Sequence, residues 1–127
     1  MNVYLASGFH QRQELRKLAA QLKERDYNVC STWIWVDTRP ERGDEVWDLF
    51  AKQIATSNIL DLSMADILIV DGNGISETNH GGVAFETGFC FSRGKPVFLI
   101  GPKGNTFHWL DEIIEVKDYD ELLDKYL

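Results

Sequence analysis

Glu86 stands where a carboxylate is costly, in the stretch Gly81-Gly82-Val83-Ala84-Phe85-Glu86-Thr87-Gly88. It is the only formal charge between Glu77 and Arg93, and its neighbours are Val83, Phe85, Phe89, Cys90 and Phe91. An acid in such apolar company loses hydration, and its pKa rises. Perturbed carboxylates of this kind do chemistry more often than they decorate a surface. Gly81 and Gly82, just ahead, let a ligand come close to the backbone. A solvated helix face would surround the acid with polar residues, and this stretch does not.

Other residues can join it. Tyr4, on the first strand pattern, has a hydroxyl able to reach a carboxylate at the head of a neighbouring helix, or else it is a core tyrosine. Ser7-Gly8-Phe9 forms a short strand-to-helix turn, whose amides suit a sugar hydroxyl or one phosphate. It lacks GxGxxG and a P-loop lysine, so hydride transfer and ATP hydrolysis are not indicated. Trp33 and Trp35 alternate near a strand end, so at most one of them faces a crevice and stacks on a base. His80, beside Gly81, reads as a ligand contact or a helix cap. His10, His80 and His108 are too scattered for a metal site, and no metal or organic cofactor is expected.

These residues need elements to hold them. A short apolar run at 2–6 is the first strand, and Leu15, Leu18, Ala19 and Leu22 mark a helix over about 11–25. Residues 27–34 read as a second strand. A polar loop over 37–43 leads to Asp44, which is expected to cap a helix with apolar positions Val46, Leu49, Phe50, Ile54 and Ile59. Asp66-Ile67-Leu68-Ile69-Val70-Asp71 is continuously apolar at its centre, as in a parallel strand covered on both faces. The loop 72–80 follows, then the helix of Glu86, which ends at Gly94-Lys95-Pro96. Residues 97–100 and 113–116 are the last strands, and Asp118 with Glu121 opens a final helix.

Five strands alternating with helices imply one doubly wound α/β domain over residues 1–127, Rossmann- or flavodoxin-like, with a parallel five-stranded sheet and helices on both faces. Ligands in such folds bind beyond the carboxyl ends of the strands, where the strand order switches. Segments 7–10, 33–42, 71–82 and 101–108 fall there, with Glu86 beside them. The net charge of −7, with no Lys/Arg cluster, argues against a nucleic-acid partner. Cys30 and Cys90 lack metal or disulfide spacing and read as core residues. With no signal peptide and no membrane-length apolar run, the chain reads as cytoplasmic, with no membrane partner.

Four stretches in order resemble the nucleoside 2-deoxyribosyltransferase family, which includes nucleotide N-glycosidases and short phage and bacterial members. They are Tyr4 through Phe9, the strand entry Met64-Ala65-Asp66-Ile67-Leu68-Ile69, the Gly-Gly-x-x-x-Glu-x-Gly of 81–88, and Gly94-Lys95-Pro96-Val97. The tail Asn105-Thr106-Phe107-His108-Trp109-Leu110 is most similar to the short members. The resemblance implies that Glu86 attacks the anomeric carbon of a nucleoside or nucleotide to form a covalent glycosyl-enzyme, and that Tyr4 hydrogen-bonds it. It implies that Asn105 reaches a neighbouring subunit's sugar, and that the chain is a homo-oligomer, dimeric or larger, with shared sites. Transfer passes the sugar to a second base, and hydrolysis passes it to water.

Two positions depart from the family pattern. Asn58 stands where an aspartate usually contacts the base and helps proton transfer, and an amide cannot donate a proton as an acid does. Asp61, one helical turn on, or Asp71, at a strand end, can take that role. His80 stands where transferases carry another aspartate; it titrates near neutrality and can itself be the acid, or touch a phosphate. The first turn offers no arginine pair for a 5′-phosphate, but Arg39, Arg42 and Lys103 lie on loops that can supply one. Missing acids also fit a non-catalytic module that binds a nucleotide-derived ligand in the same crevice.

Overall fold

The computed structural model describes residues 1–75 and 81–127. Strands β1 (Asn2–Ala6), β2 (Asn28–Val29), β3 (Ile67–Asp71), β4 (Val97–Ile100) and β5 (Ile114–Val116) form one parallel sheet in the order β2-β1-β3-β4-β5. Every residue of β3 and β4 is buried, so apolar runs sit where helices cover both faces. The chain leaves β1 toward β2 and returns to β3 on the other side. The switch in strand order therefore lies at the carboxyl ends of β1 and β3, where Ala6 pairs with Val70.

Helix α1 (Arg12–Glu24) buries Leu15, Leu18, Ala19 and Leu22, the stripe its spacing predicts. It ends with Asp26 in the left-handed region at φ 66°, while Tyr27 N–H and Asp26 N–H bond back to Leu22 and Lys23 carbonyls. Helix α3 (Gly82–Ser92) closes the same way at Gly94, followed by Pro96, as the sequence indicates. Helix α2 (Trp47–Met64) packs on α3, and among its side chains only Asp61 and Leu62 are buried. The last helix, α4 (Tyr119–Glu121), widens into a π-helical turn over Leu122–Tyr126. Asp118 accepts from Glu121 N–H, and Glu121 reaches back to Lys117 N–H, one residue outside the expected box. Among the described residues no helix is long and apolar enough to cross a membrane.

Two expectations are corrected. The strand expected over 27–34 pairs only at Asn28–Val29. Beyond it, side chains replace the ladder: Ser31 Oγ accepts from Leu5 N–H at 3.0 Å, and Trp33 Nε1 donates to Leu5 O at 2.8 Å. Asp61 captures Thr32 through both its N–H and its hydroxyl, and Thr32–Trp35 curls into a 3-10 turn. Asp44 does not cap α2: its carboxylate accepts from Glu41 N–H and closes the 41–44 turn, and α2 starts without a side-chain cap. Periodicity cannot report either event, because both depend on a side chain meeting a distant backbone group.

Candidate active site

The carboxyl ends of β1 and β3 open into a cavity of about 880 Å³. Its walls come from five segments. Ser7, Gly8 and Phe9 follow β1, Trp33 comes from the 3-10 turn, and Arg39, Pro40, Glu41 and Arg42 come from the next loop. Helix α2 contributes Trp47, Phe50, Ala51, Ile54 and Asn58, and α3 contributes Gly82, Val83 and Glu86. The α2 residues recur at helical spacing, so one face of that helix lines the cavity rather than the sheet. Trp47, Phe50, Ala51 and Ile54 are therefore only half-buried.

Glu86 is 9 % exposed and opens onto this space from the second turn of α3. Gly81, at φ +89°, turns the chain into that helix, and a side chain at Gly82 would meet only open space. Burial pushes the Glu86 carboxyl up to about 7, and the Tyr4 hydroxyl partly opposes the rise. Tyr4 is fully buried in the middle of β1. Burial, and then the nearby Glu86 charge, hold its phenol far above the ordinary range. Each group therefore feels the other, yet no hydrogen bond of ordinary geometry closes between them. Tyr4 Oη and Asn58 Oδ1 are the buried side-chain polar atoms that lack a partner among the described residues. Buried polar atoms are almost always paired, so the orphan of Asn58, which lines the cavity, marks a place for a ligand's polar group, while Tyr4 lies behind Glu86 and does not line it.

The remaining sequence candidates separate. Ser7 lines the cavity while its hydroxyl donates to Asp71 O at 2.7 Å, tying the ends of β1 and β3 together. Trp33 lines the cavity, whereas Trp35 is 56 % exposed beside Arg16. Asp61 does not line it, since its carboxylate is engaged by Thr32. Asp71 does not either: Asn73 N–H, Gln11 Nε2 and Tyr119 Oη converge on its carboxylate. Asn105 accepts from Phe107 N–H beside buried His108, outside this chain's cavity. His80 lies outside the described residues. Cys30 and Cys90 are buried thiols pushed up to about 11, mainly by burial.

Phe50 and Ile54, apolar helix positions in the sequence, line the cavity, and so do Trp47, Ala51 and Val83, which are not among the sequence candidates. The spacing of Trp47, Phe50, Ala51, Ile54 and Asn58 was the available signal, but a stripe that faces a cavity looks like one that faces a core. With Phe9 and Trp33, these rings give the cavity flat aromatic walls around one perturbed carboxyl. Such a site can stack an aromatic ring and present a carboxylate to the group attached to it.

The chain resembles known proteins over nearly its whole length. The family described as nucleoside 2-deoxyribosyltransferase matches residues 3–119. No curated protein matches the chain. Among solved structures, the 2-deoxyribosyltransferase from the psychrotolerant bacterium Bacillus psychrosaccharolyticus superposes with a TM-score of 0.70 at 23 % identity, covering 98 % of this chain and 91 % of that one. At that identity the likeness speaks for the fold, and the family match carries the assignment. With a match spanning nearly its whole length, the chain belongs to the nucleoside 2-deoxyribosyltransferase family.

Proposed function

We propose that this chain breaks the N-glycosidic bond of a (deoxy)nucleoside or nucleotide through a covalent glycosyl intermediate on Glu86. The observation that carries the reading is a single buried carboxyl, near pKa 7, facing an aromatic cavity beside an unpartnered tyrosine hydroxyl. In the ionised form Glu86 attacks the anomeric carbon. The carbon–nitrogen bond breaks, and its electron pair leaves with the base, which takes up a proton. A second base, or water, then attacks the same carbon and expels the carboxylate, so configuration is retained overall. The nearby Tyr4 hydroxyl favours the ionised carboxylate, partly offsetting the effect of burial.

The test incubates the protein with a panel of deoxynucleosides plus free adenine and looks for new nucleosides or free base by chromatography. Glu86→Gln should abolish turnover, and intact mass should show a sugar adduct on the unsubstituted protein alone. Full activity in Glu86→Gln would remove Glu86 as nucleophile.

A second reading rests on a specific observation. Asn58 replaces an acid inside the cavity, and Asp61 and Asp71 are engaged elsewhere. A non-catalytic module binding a nucleotide-derived ligand would look like this, and tight binding without turnover would favour it.

The surface supports a reading of assembly. Residues 53–64 of α2 and 82–92 of α3 carry only two charged side chains, Asp61 and Glu86, and both are buried. Ile59, Leu60, Met64, Phe85 and Phe91 are exposed on these helices. An uncharged apolar face of this kind supports a homo-oligomer, with Asn105 reaching a neighbour's site. Two free buried cysteines are compatible with a reducing, cytoplasmic setting.

A further inference from the structure

We propose that the substrate of this cavity is phosphorylated, and that Arg39 and Arg42 hold its phosphate. The inference rests on the glycosidic reading above and narrows its substrate class to nucleoside 5′-monophosphates.

Two guanidiniums at the cavity wall are unexpected in a chain with a net charge of −7. Among the described residues neither forms an ion pair, although Glu41 lies between them in sequence and lines the same cavity. Each rests instead over an aromatic ring of the wall. Arg39 is 4.5 Å from the centroid of Phe9, and Arg42 is 5.7 Å from that of Trp47. Stacking on a ring places a guanidinium without using its N–H donors, which stay available to an anion. A planar fork of donors matches phosphate oxygens better than a lysine ammonium does.

The loop carrying the pair is held at both ends. Arg12 donates from Nε to Phe9 O at 2.7 Å and from Nη1 to Asp37 O at 2.9 Å. Arg16 donates to Ile34 O and pairs with Asp37 at 3.1 Å. At the far end, Asp44 closes its turn on Glu41 N–H, and Trp47 N–H bonds to Asp44 O. Lys103, the other loop cation, pairs with Glu115 and covers Trp109, and it does not line the cavity. A cavity of about 880 Å³ is at the upper end of small-molecule sites, in keeping with a nucleotide.

The test measures binding of deoxynucleosides, their 5′-monophosphates and inorganic phosphate by calorimetry, at low and high salt, and follows turnover in the same samples. Monophosphates should bind at least about tenfold tighter than nucleosides, about 1.4 kcal/mol. The preference should shrink at high salt, fall in Arg39→Gln and in Arg42→Gln, and approach unity in the double variant. Equal binding of the two forms, a preference that survives the double substitution, or inorganic phosphate binding as tightly as the nucleotide would each overturn the inference. Absence of all binding would overturn it too. A monophosphate preference without turnover would uphold it and sink the enzymatic reading; turnover of both forms with equal affinity would do the reverse.

Discussion

Tyr4 on β1 and Glu86 on α3 approach each other at the switch in strand order, each shifting the other's acidity without a closed hydrogen bond. The strand supplies a donor fixed by the core, and the helix supplies an acceptor at the cavity.

Removing the hydroxyl should shift the pH profile. Tyr4 lowers the Glu86 pKa, so in Tyr4→Phe that pKa climbs above about 7. The acidic limb of kcat/KM should move to higher pH, and activity below it should fall about tenfold for each unit of the rise. Where the carboxyl is protonated, stability should hold or improve, because the lost hydroxyl is a buried group without a partner. Where it is charged, stability should fall, because the group that favours the charged form is gone. Rates and denaturation, both measured across pH, decide this. An unmoved limb would separate Tyr4 from Glu86.

Glu86 should also cost stability as its charge appears. Its folded pKa of about 7 lies above the ordinary 4.5, so the folded state binds the proton more tightly. The resulting stabilisation is complete below about 4.5 and is lost as pH rises through about 7. Glu86→Gln has no such loss, and should be more stable than the parent above neutrality by at most about 3 kcal/mol. Urea denaturation at acid and alkaline pH measures the difference. A gap that does not widen with pH would mean that the carboxyl is solvated.

What the sequence made legible follows from what each residue needs. The apolar runs of β3 and β4 and the stripe of α1 have meaning from local pattern alone, so the sheet and its crevice were readable. Glu86 was readable because a lone charge in an apolar run has no local explanation. Arrangements requiring two distant segments were not readable. Nothing near Ser31 says that its hydroxyl completes the edge of β1. Nothing near Asp61 says that it folds the 3-10 turn bearing Trp33, and nothing near Trp47 says that its face lines a cavity.

Asp61 is the sharpest instance, and its structural role is testable. Its carboxylate accepts from Thr32 N–H at 2.9 Å and from Thr32 Oγ1 at 2.7 Å. Asp61→Ala should destabilise the protein by about 1–3 kcal/mol, since it strands that amide. Asp61→Asn keeps an acceptor and should lose less. If Asp61→Ala removed turnover with no change in denaturation midpoint, a chemical role would replace the structural one.

Asn58 tests the missing acid. Its Oδ1 is buried and unpartnered on the cavity-lining face of α2. An aspartate there could be protonated and pass its proton to the leaving base, the step in which an amide cannot help. Asn58→Asp should therefore raise turnover, on the order of tenfold or more, and add an alkaline limb to the pH profile. An inactive parent that becomes active on this substitution would identify the natural protein as a binding module. No gain in rate would place the proton donor elsewhere.

Shared sites can be demonstrated by mixing two damaged proteins. Glu86 belongs to one subunit's cavity, while Asn105 lies outside that cavity, on the 3-10 turn of Thr106–Trp109. If Asn105 completes a neighbour's site, Glu86→Gln and Asn105→Ala should each be inactive alone. Co-refolded, they should regain activity, because some interfaces then join an intact Glu86 to an intact Asn105. A site confined to one chain would give no recovery at any ratio. Sedimentation velocity supplies the companion measurement. The parent should run as a dimer or larger, and Leu60→Glu with Phe85→Glu, which charges the exposed face of α2 and α3, should release monomer. Loss of complementation in that same background would tie the apolar face to the shared site.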